Sequence, residues 1–182
     1  TAMLTELVTI KLRQQAGDPT LTAADIARIE TVIPYNLDAW DGYQYEREVV
    51  LGTAKALNKN LVVLAGDTHN AWANNLATLS GDAVGVEFAT ASVSSPGLED
   101  YLGLPDALIA DAEQGIGLLV DGLDYLNINQ RGYMVVTFTQ DEALANWYFV
   151  DTVKSREYTV DNSRSAARKT LPGAGNRTVD PV

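Results

Sequence analysis

The spacing of apolar residues along the chain changes period several times, and each change predicts an element. Over residues 22–33, Ile26, Ile29 and Ile33 recur at helical spacing, with Thr22 and Asp25 placed as a capping box and Pro34 ending the run. A second helix is predicted over 43–57, where Val50, Ala54 and Leu57 share a face and Asn58-Lys59-Asn60 closes it. Leu61-Val62-Val63-Leu64-Ala65 is an unbroken apolar run between Asn60 and Gly66, the pattern of a strand buried on both faces. Val84, Val86 and Phe88 alternate with Gly85 and Glu87, which predicts a strand over 84–91. Ser92 to Gly97 reads as a loop, and a short helix is expected around 105–113 with Asp106 near its start. Residues 132–139 and 144–152 read as two strands joined in a hairpin through Gln140-Asp141-Glu142. Helices, one apolar strand and then antiparallel-looking strands fit an α/β fold, a mixed sandwich of sheets flanked by helices. The pattern divides the chain into a body, 1–153, and a polar tail, 154–182, expected either to drape over the body or to stay unstructured.

At 182 residues the chain is long enough for one domain with a sizeable core. No apolar stretch approaches the roughly 20 residues that span a bilayer, so no transmembrane segment is expected. The first residues show no basic stretch followed by an apolar run, so no targeting peptide lies in this sequence. There is no cysteine, which excludes disulfides, thiolate ligands and a cysteine nucleophile. The net charge of −11 is unevenly spread. Residues 154–182 carry +3, with Lys154, Arg156, Arg164, Arg168, Lys169 and Arg177 against Glu157, Asp161 and Asp180, so the body carries about −14. Such a body repels polyanions, and nucleic acid is not expected as a partner except as a possible substrate. A phosphate-handling site in it needs cations to offset the field, and bound metal is the usual means.

Candidate chemistry concentrates in Gly66-Asp67-Thr68-His69-Asn70, directly after the apolar strand. Loops at the carboxyl ends of strands are where α/β sheets build sites. If the segment is extended, Asp67 and His69 project to the same side, and a carboxylate beside an imidazole suits a pair of metal ions. His69 is the only histidine in the chain. Two other readings of these residues stay open: Asp67 capping a turn, and His69 as a hydrogen-bonded surface imidazole.

The stretch from Leu61 to Trp72 resembles the signature of PhoD-like alkaline phosphatases, in which a buried strand runs into Gly-Asp-x-His and a tryptophan follows. Three further segments match in order. Trp40-Asp41-Gly42-Tyr43 with Arg47 is similar to the family's WDGY-x-x-x-R block. Val86-Glu87-Phe88 through Ser95-Pro96-Gly97 resembles its V-E-F…S-x-S-S-P-G segment, and Arg131-Gly132-Tyr133 resembles its closing R-G-Y hairpin. Together they span about residues 36–153.

The resemblance implies the C-terminal half of a calcineurin-like metallophosphatase sandwich. In the related calcineurin-like enzymes the loop is Gly-His-x-His and both histidines bind metal; here Asp67 stands in place of the first. Asp67 and His69 are thereby implied as ligands to a bimetal cluster, with calcium and iron as the expected ions, hydrolysing phosphate monoesters or diesters. No residue presents itself as a protein nucleophile, so attack by water is expected. The family's other ligands come from an N-terminal half whose blocks are not in this sequence. That half is therefore the expected partner, and the chain alone is expected to be inactive; a non-catalytic metal- or phosphate-binding module and a purely structural piece are the alternatives. Family members are exported, which implies a periplasmic or extracellular location. Trp40, Asp41, Tyr43, Arg47 and Asn70 are candidates for shaping the pocket or holding phosphate oxygens. Asp41 followed by Gln44 also reads as the cap of helix 43–57, and that reading is favoured. Arg47 could instead pair with a neighbouring carboxylate. Glu87 is evenly divided between a solvent-facing strand position and a partner behind the metal ligands. Trp147, Tyr148 and Phe149 are expected in the core and on the sheet surface rather than as a substrate platform.

Overall fold

The computed structural model describes residues 2–31 and 37–182. Two four-stranded sheets pack face to face, with helices along the first. The first sheet contains β1 (Leu61–Ala65), β2 (Ala71–Ala77), β3 (Ala83–Ala89) and β4 (Leu123–Asn127), in the order β1-β3-β2-β4. β1 runs parallel to β3, whereas β2 is antiparallel to both β3 and β4. The second sheet is antiparallel throughout: β5 (Arg131–Phe138), β6 (Ala143–Val150), β7 (Ala166–Thr170) and β8 (Asp180–Pro181).

Strand periodicity explains why the sheets stack. Along β6 buried and half-buried residues alternate strictly, so Ala143, Ala145, Trp147 and Phe149 face the core. Ala145, Trp147 and Phe149 meet Ala71, Ala73, Val86 and Phe88 from the first sheet. Trp147 is completely buried and lies edge-on to Phe88, ring centroids 5.8 Å apart and planes at 80°, the arrangement an aromatic quadrupole favours. Its indole N–H donates to the Ala89 carbonyl at 2.8 Å, so the one polar atom of the core's largest side chain is satisfied.

The helices are α1 (Ala2–Gln15), α2 (Ala23–Glu30), α3 (Gln44–Ala56), α4 (Leu98–Tyr101) and α5 (Ile109–Leu119). The Thr22–Asp25 capping box is present at the start of α2; Ile33 and Pro34, expected at its end, lie outside the described residues. A second apolar cluster of Leu104, Ile109, Ala112 and Ile128 seats α5 beside the first sheet, with Leu4 of α1 packed on it. No helix among the described residues is long and apolar enough to cross a membrane.

Three expectations change. β1 is not enclosed on both faces: it is an edge strand of its sheet, and Leu64 is 51% exposed. A run of apolar residues reports what a strand's faces can accept, not how many neighbours it has. The helix expected at 105–113 is a turn of 3₁₀ helix at Asp106–Leu108 that continues into α5, reaching Leu119. Finally, residues 154–182 are part of the fold, because β7 and β8 extend the second sheet and Val179 is buried in the core. Arg164 is tied in by hydrogen bonds to Glu113 at 2.8 Å and Gln130 at 3.0 Å, so the cationic segment neutralises carboxylates of the acidic body.

Candidate functional site

Gly66–Asn70 connects the carboxyl end of β1 to β2. The strand end beneath it is firmly held: Ala65 is in register with Ala89, and the Thr90 amide donates to the Ala65 carbonyl at 2.9 Å. The loop is not extended. Asp67 and His69 both take left-handed backbone conformations, with φ of 69° and 64°, and the Thr68 amide folds back onto the Gly66 carbonyl at 2.8 Å. Same-side projection from strand alternation is therefore replaced by two left-handed residues separated by one. Asp and His tolerate that region better than most side chains, yet each still carries strain. Strain of this kind persists where the surroundings over-determine it, and here they do.

The anchors come from Asn70 and His69. Asn70 is buried; its amide donates to the Thr68 carbonyl at 2.6 Å and its oxygen accepts from the Leu98 amide at 2.8 Å. Asn70 thus holds the loop rather than facing the pocket. His69 Nδ1 lies 2.8 Å from the Pro96 carbonyl oxygen. A carbonyl only accepts, so this contact is a hydrogen bond when the proton sits on Nδ1, the form in which Nε2 of a neutral ring keeps a lone pair. Asp67 makes no hydrogen bond or ion pair with any described residue, which leaves both carboxylate oxygens available.

A cleft of about 510 Å³ opens beside the loop, its wall including Trp40, Asp41, Arg47, Asp67, Glu87 and Asp121. Trp40-Asp41-Gly42 forms a single 3₁₀ turn ahead of α3. Gly42 is required there, since a Cβ would lie 1.9 Å from the Leu37 carbonyl oxygen. The capping role expected for Asp41 is corrected: the residue at the cap of α3 is Tyr43, with no side-chain cap bond, and Asp41 hydrogen-bonds to no described residue. Two residues ahead of the cap, its carboxylate makes no hydrogen bond to the free amides of α3. Arg47 pairs with Glu48 at 3.2 Å while lining the cleft. Tyr43 is exposed, its hydroxyl 3.4 Å from Asp38, and it lies off the cleft wall, as do His69 and Asn70.

Glu87 of β3 faces this cleft rather than open solvent. Burial pushes its carboxyl above the usual range; an amide hydrogen bond from Asn74 at 3.4 Å and the Arg47 charge partly offset this, and the Asp41 charge adds to it. Alternation in the sequence showed that Glu87 opposes Val86 and Phe88 but could not show what covered that face. Asp121 and the Pro96 carbonyl were not foreseen. Asp121 lies in a segment without periodicity, and a backbone oxygen has no side-chain signature at all.

The donor set fits a metal ion in part. An imidazole whose Nδ1–H is held by a carbonyl is the arrangement that metal-binding histidines use to present Nε2, and a free carboxylate two residues away supplies a hard oxygen. No group of three or more potential ligands gathers among the described residues. Asp67 and His69 therefore suit a share of a coordination sphere rather than the whole of one.

Comparisons with known proteins agree with the motifs. Alkaline phosphatase D of Bacillus subtilis (strain 168) is 43% identical over 68 residues, which make up 35% of this chain and 12% of that protein. A solved structure of PhoD matches 81% of this chain with a TM-score of 0.61 at 23% identity, a likeness that speaks for the fold, and the chain spans 27% of it. The sequence profile of the PhoD-like phosphatases matches residues 2–147, so the chain belongs to the PhoD-like phosphatase family.

Proposed function

We propose that this chain contributes to metal-dependent hydrolysis of phosphate esters, monoesters or diesters, at a bimetal site whose remaining ligands come from the N-terminal half of the same protein. The observation that carries this reading is the loop after β1: His69 with Nδ1 on the Pro96 carbonyl, and Asp67 with a free carboxylate, both in strained backbone. Calcium and iron are the ions proposed, and once bound they supply Lewis-acid activation of water and of the phosphoryl group. The chain's own part is to present Nε2 of His69 and the Asp67 carboxylate from a rigid strand end. Arg47 on the cleft wall offers a guanidinium to phosphate oxygens, offsetting an otherwise acidic rim of Asp41, Glu87 and Asp121. Trp40, half exposed at the mouth, gives an apolar face to the ester's leaving group. By itself the chain is proposed to be inactive, and export to the periplasm or beyond belongs to the same reading.

Elemental analysis of the purified protein that carries this chain together with its N-terminal half, paired with hydrolysis of a chromogenic phosphate monoester and diester before and after chelation, tests this. About stoichiometric iron and calcium, with activity lost on chelation and restored by metal, is the expected result. Hydrolysis that survives complete metal removal would refute it.

A further inference from the structure

Three motifs remain without a task in binding: Ser92 to Gly97, Arg131-Gly132-Tyr133, and the start of α4. They converge on His69. The Pro96 carbonyl selects the Nδ1–H form of the imidazole, which is the less populated neutral form of free histidine in water. Pro96 is itself held from both sides. The Ser92 hydroxyl donates to the Ser95 carbonyl at 2.6 Å, the Gly132 amide donates to the Ser92 carbonyl at 3.0 Å, and Asn70 accepts from the Leu98 amide. Behind this strip Arg131 Nη2 donates to Glu99 Oε1 at 2.6 Å and Nη1 donates to the Asn129 carbonyl at 2.7 Å. The side chains of Arg131 and Glu99 are only 9% and 13% exposed. A Cβ on Gly97 would lie 2.5 Å from Glu99 Oε2 and from the Ile128 carbonyl oxygen, so the strip passes the ion pair with no spare room.

Stability does not explain this pair. Desolvation of two charges offsets most of their attraction, and apolar replacements of such pairs are often neutral or better. Nor is the pairing maximised: Arg131 Nε and Glu99 Oε2 are both buried without a hydrogen-bond partner, so the two-pronged contact open to an arginine and a carboxylate is unused. What the pair does achieve is placement of residues 96–98.

We infer that Arg131 and Glu99 are positioning residues: their buried ion pair clamps the Pro96–Leu98 strip so that the Pro96 carbonyl locks His69 in the Nδ1–H tautomer, leaving Nε2 to a ligand. The purpose of the clamp rests on the reading of His69 as a metal ligand; the tautomer does not, because it is measured with chelator present.

His69 is the only histidine of these 182 residues, and ¹⁵N-histidine labelling of the protein that carries them, with a His69→Gln sample to assign the resonances, isolates its imidazole spectrum. It is recorded well above the ordinary imidazole range so that the ring is neutral. The wild type is expected to show Nδ1–H as the dominant form. An ordinary hydrogen bond is worth about fivefold in such a ratio, and Arg131→Met is expected to lose that factor. Because Arg131→Met leaves Glu99 buried without a cation, two further variants are used: Glu99→Gln with Arg131→Met together, and Gly97→Ala, which displaces the strip and leaves both charges in place. Each is expected to move the ratio toward Nε2–H, and Arg131→Lys to restore part of it. A merely structural pair would lower the melting temperature of the variants and leave the tautomer unchanged. A wild-type ring protonated on Nε2, or folded variants that keep Nδ1–H dominant, overturns the inference.

Discussion

Replacing Trp147 with phenylalanine should be felt both in the core and at the loop that carries Asp67 and His69. The indole is fully buried between the sheets, and its N–H is bound to the carbonyl of Ala89, the residue paired with Ala65 one step before Gly66. Phenylalanine removes that donor, at a net cost of about 1 kcal/mol for an ordinary buried hydrogen bond. Truncating a buried tryptophan to alanine costs about 3–5 kcal/mol, and a phenyl ring restores the larger part of the lost packing, so the residual void adds about 1–2 kcal/mol. The edge-on contact with Phe88 and the tilted contact with Tyr125, centroids 5.2 Å apart, are weakened as well. The expected loss is about 2–3 kcal/mol, a large share of the 5–15 kcal/mol that holds a typical domain together. Urea unfolding followed by far-ultraviolet circular dichroism reads it as a lower midpoint at unchanged slope. Trp40→Phe is the control: that side chain is 49% exposed, and its loss should stay within about 0.5 kcal/mol. If the two variants are equally stable, Trp147 does not bridge the sheets in the way described.

Two other perturbations bear on the site. Glu87 is held above its ordinary value of 4.5 by burial, so the folded state binds this proton more tightly than the unfolded state does, and the contribution of Glu87 to stability falls as pH rises through and above that value. Glu87→Gln removes the dependence: the variant should unfold at higher temperature than wild type at neutral pH and show no such gain at about pH 3, and an equal gain at both would place Glu87 in solvent. Asp67→Gly relieves a left-handed backbone and should stabilise the chain by about 1 kcal/mol in thermal unfolding, while metal binding by the complete protein weakens; a destabilised glycine variant would mean that the carboxylate has a structural partner.

The sequence was most legible where one residue type has one physical use. Thr22 with Asp25 could be read as a cap because a hydroxyl and a carboxylate three residues apart satisfy each other's backbone amides. The hairpin of β5 and β6 followed from alternation on both sides of a polar break. β2 was hidden because Asn74 and Asn75 fall where strand propensity is low, although Asn75 takes up the Val179 amide and Asn74 reaches Glu87. α1 was missed because its apolar residues follow no clean stripe, and only its packing on α5 shows which face is inward. At the candidate site, the types and order of Asp67 and His69 were readable, whereas their backbone was not. The loop that holds these two left-handed residues is anchored through His69 and Asn70 to Pro96 and Leu98, nearly thirty residues away, and no local pattern carries that. Asp41 was misread for the same reason: a capping spacing is local, and the 3₁₀ turn that displaces it depends on the close approach of Leu37 to Gly42.

Whether Asp67 and His69 hold metal is decided by site-directed variants with paired metal and activity readouts. In the protein that carries this chain, His69→Ala and Asp67→Ala are each compared with wild type for bound iron and calcium and for kcat/KM on a chromogenic phosphate diester. Loss of at least one ion together with a fall of about 100-fold or more, equivalent to about 2.7 kcal/mol of transition-state stabilisation, is predicted for each. Wild-type metal content and rate in both variants would contradict the account.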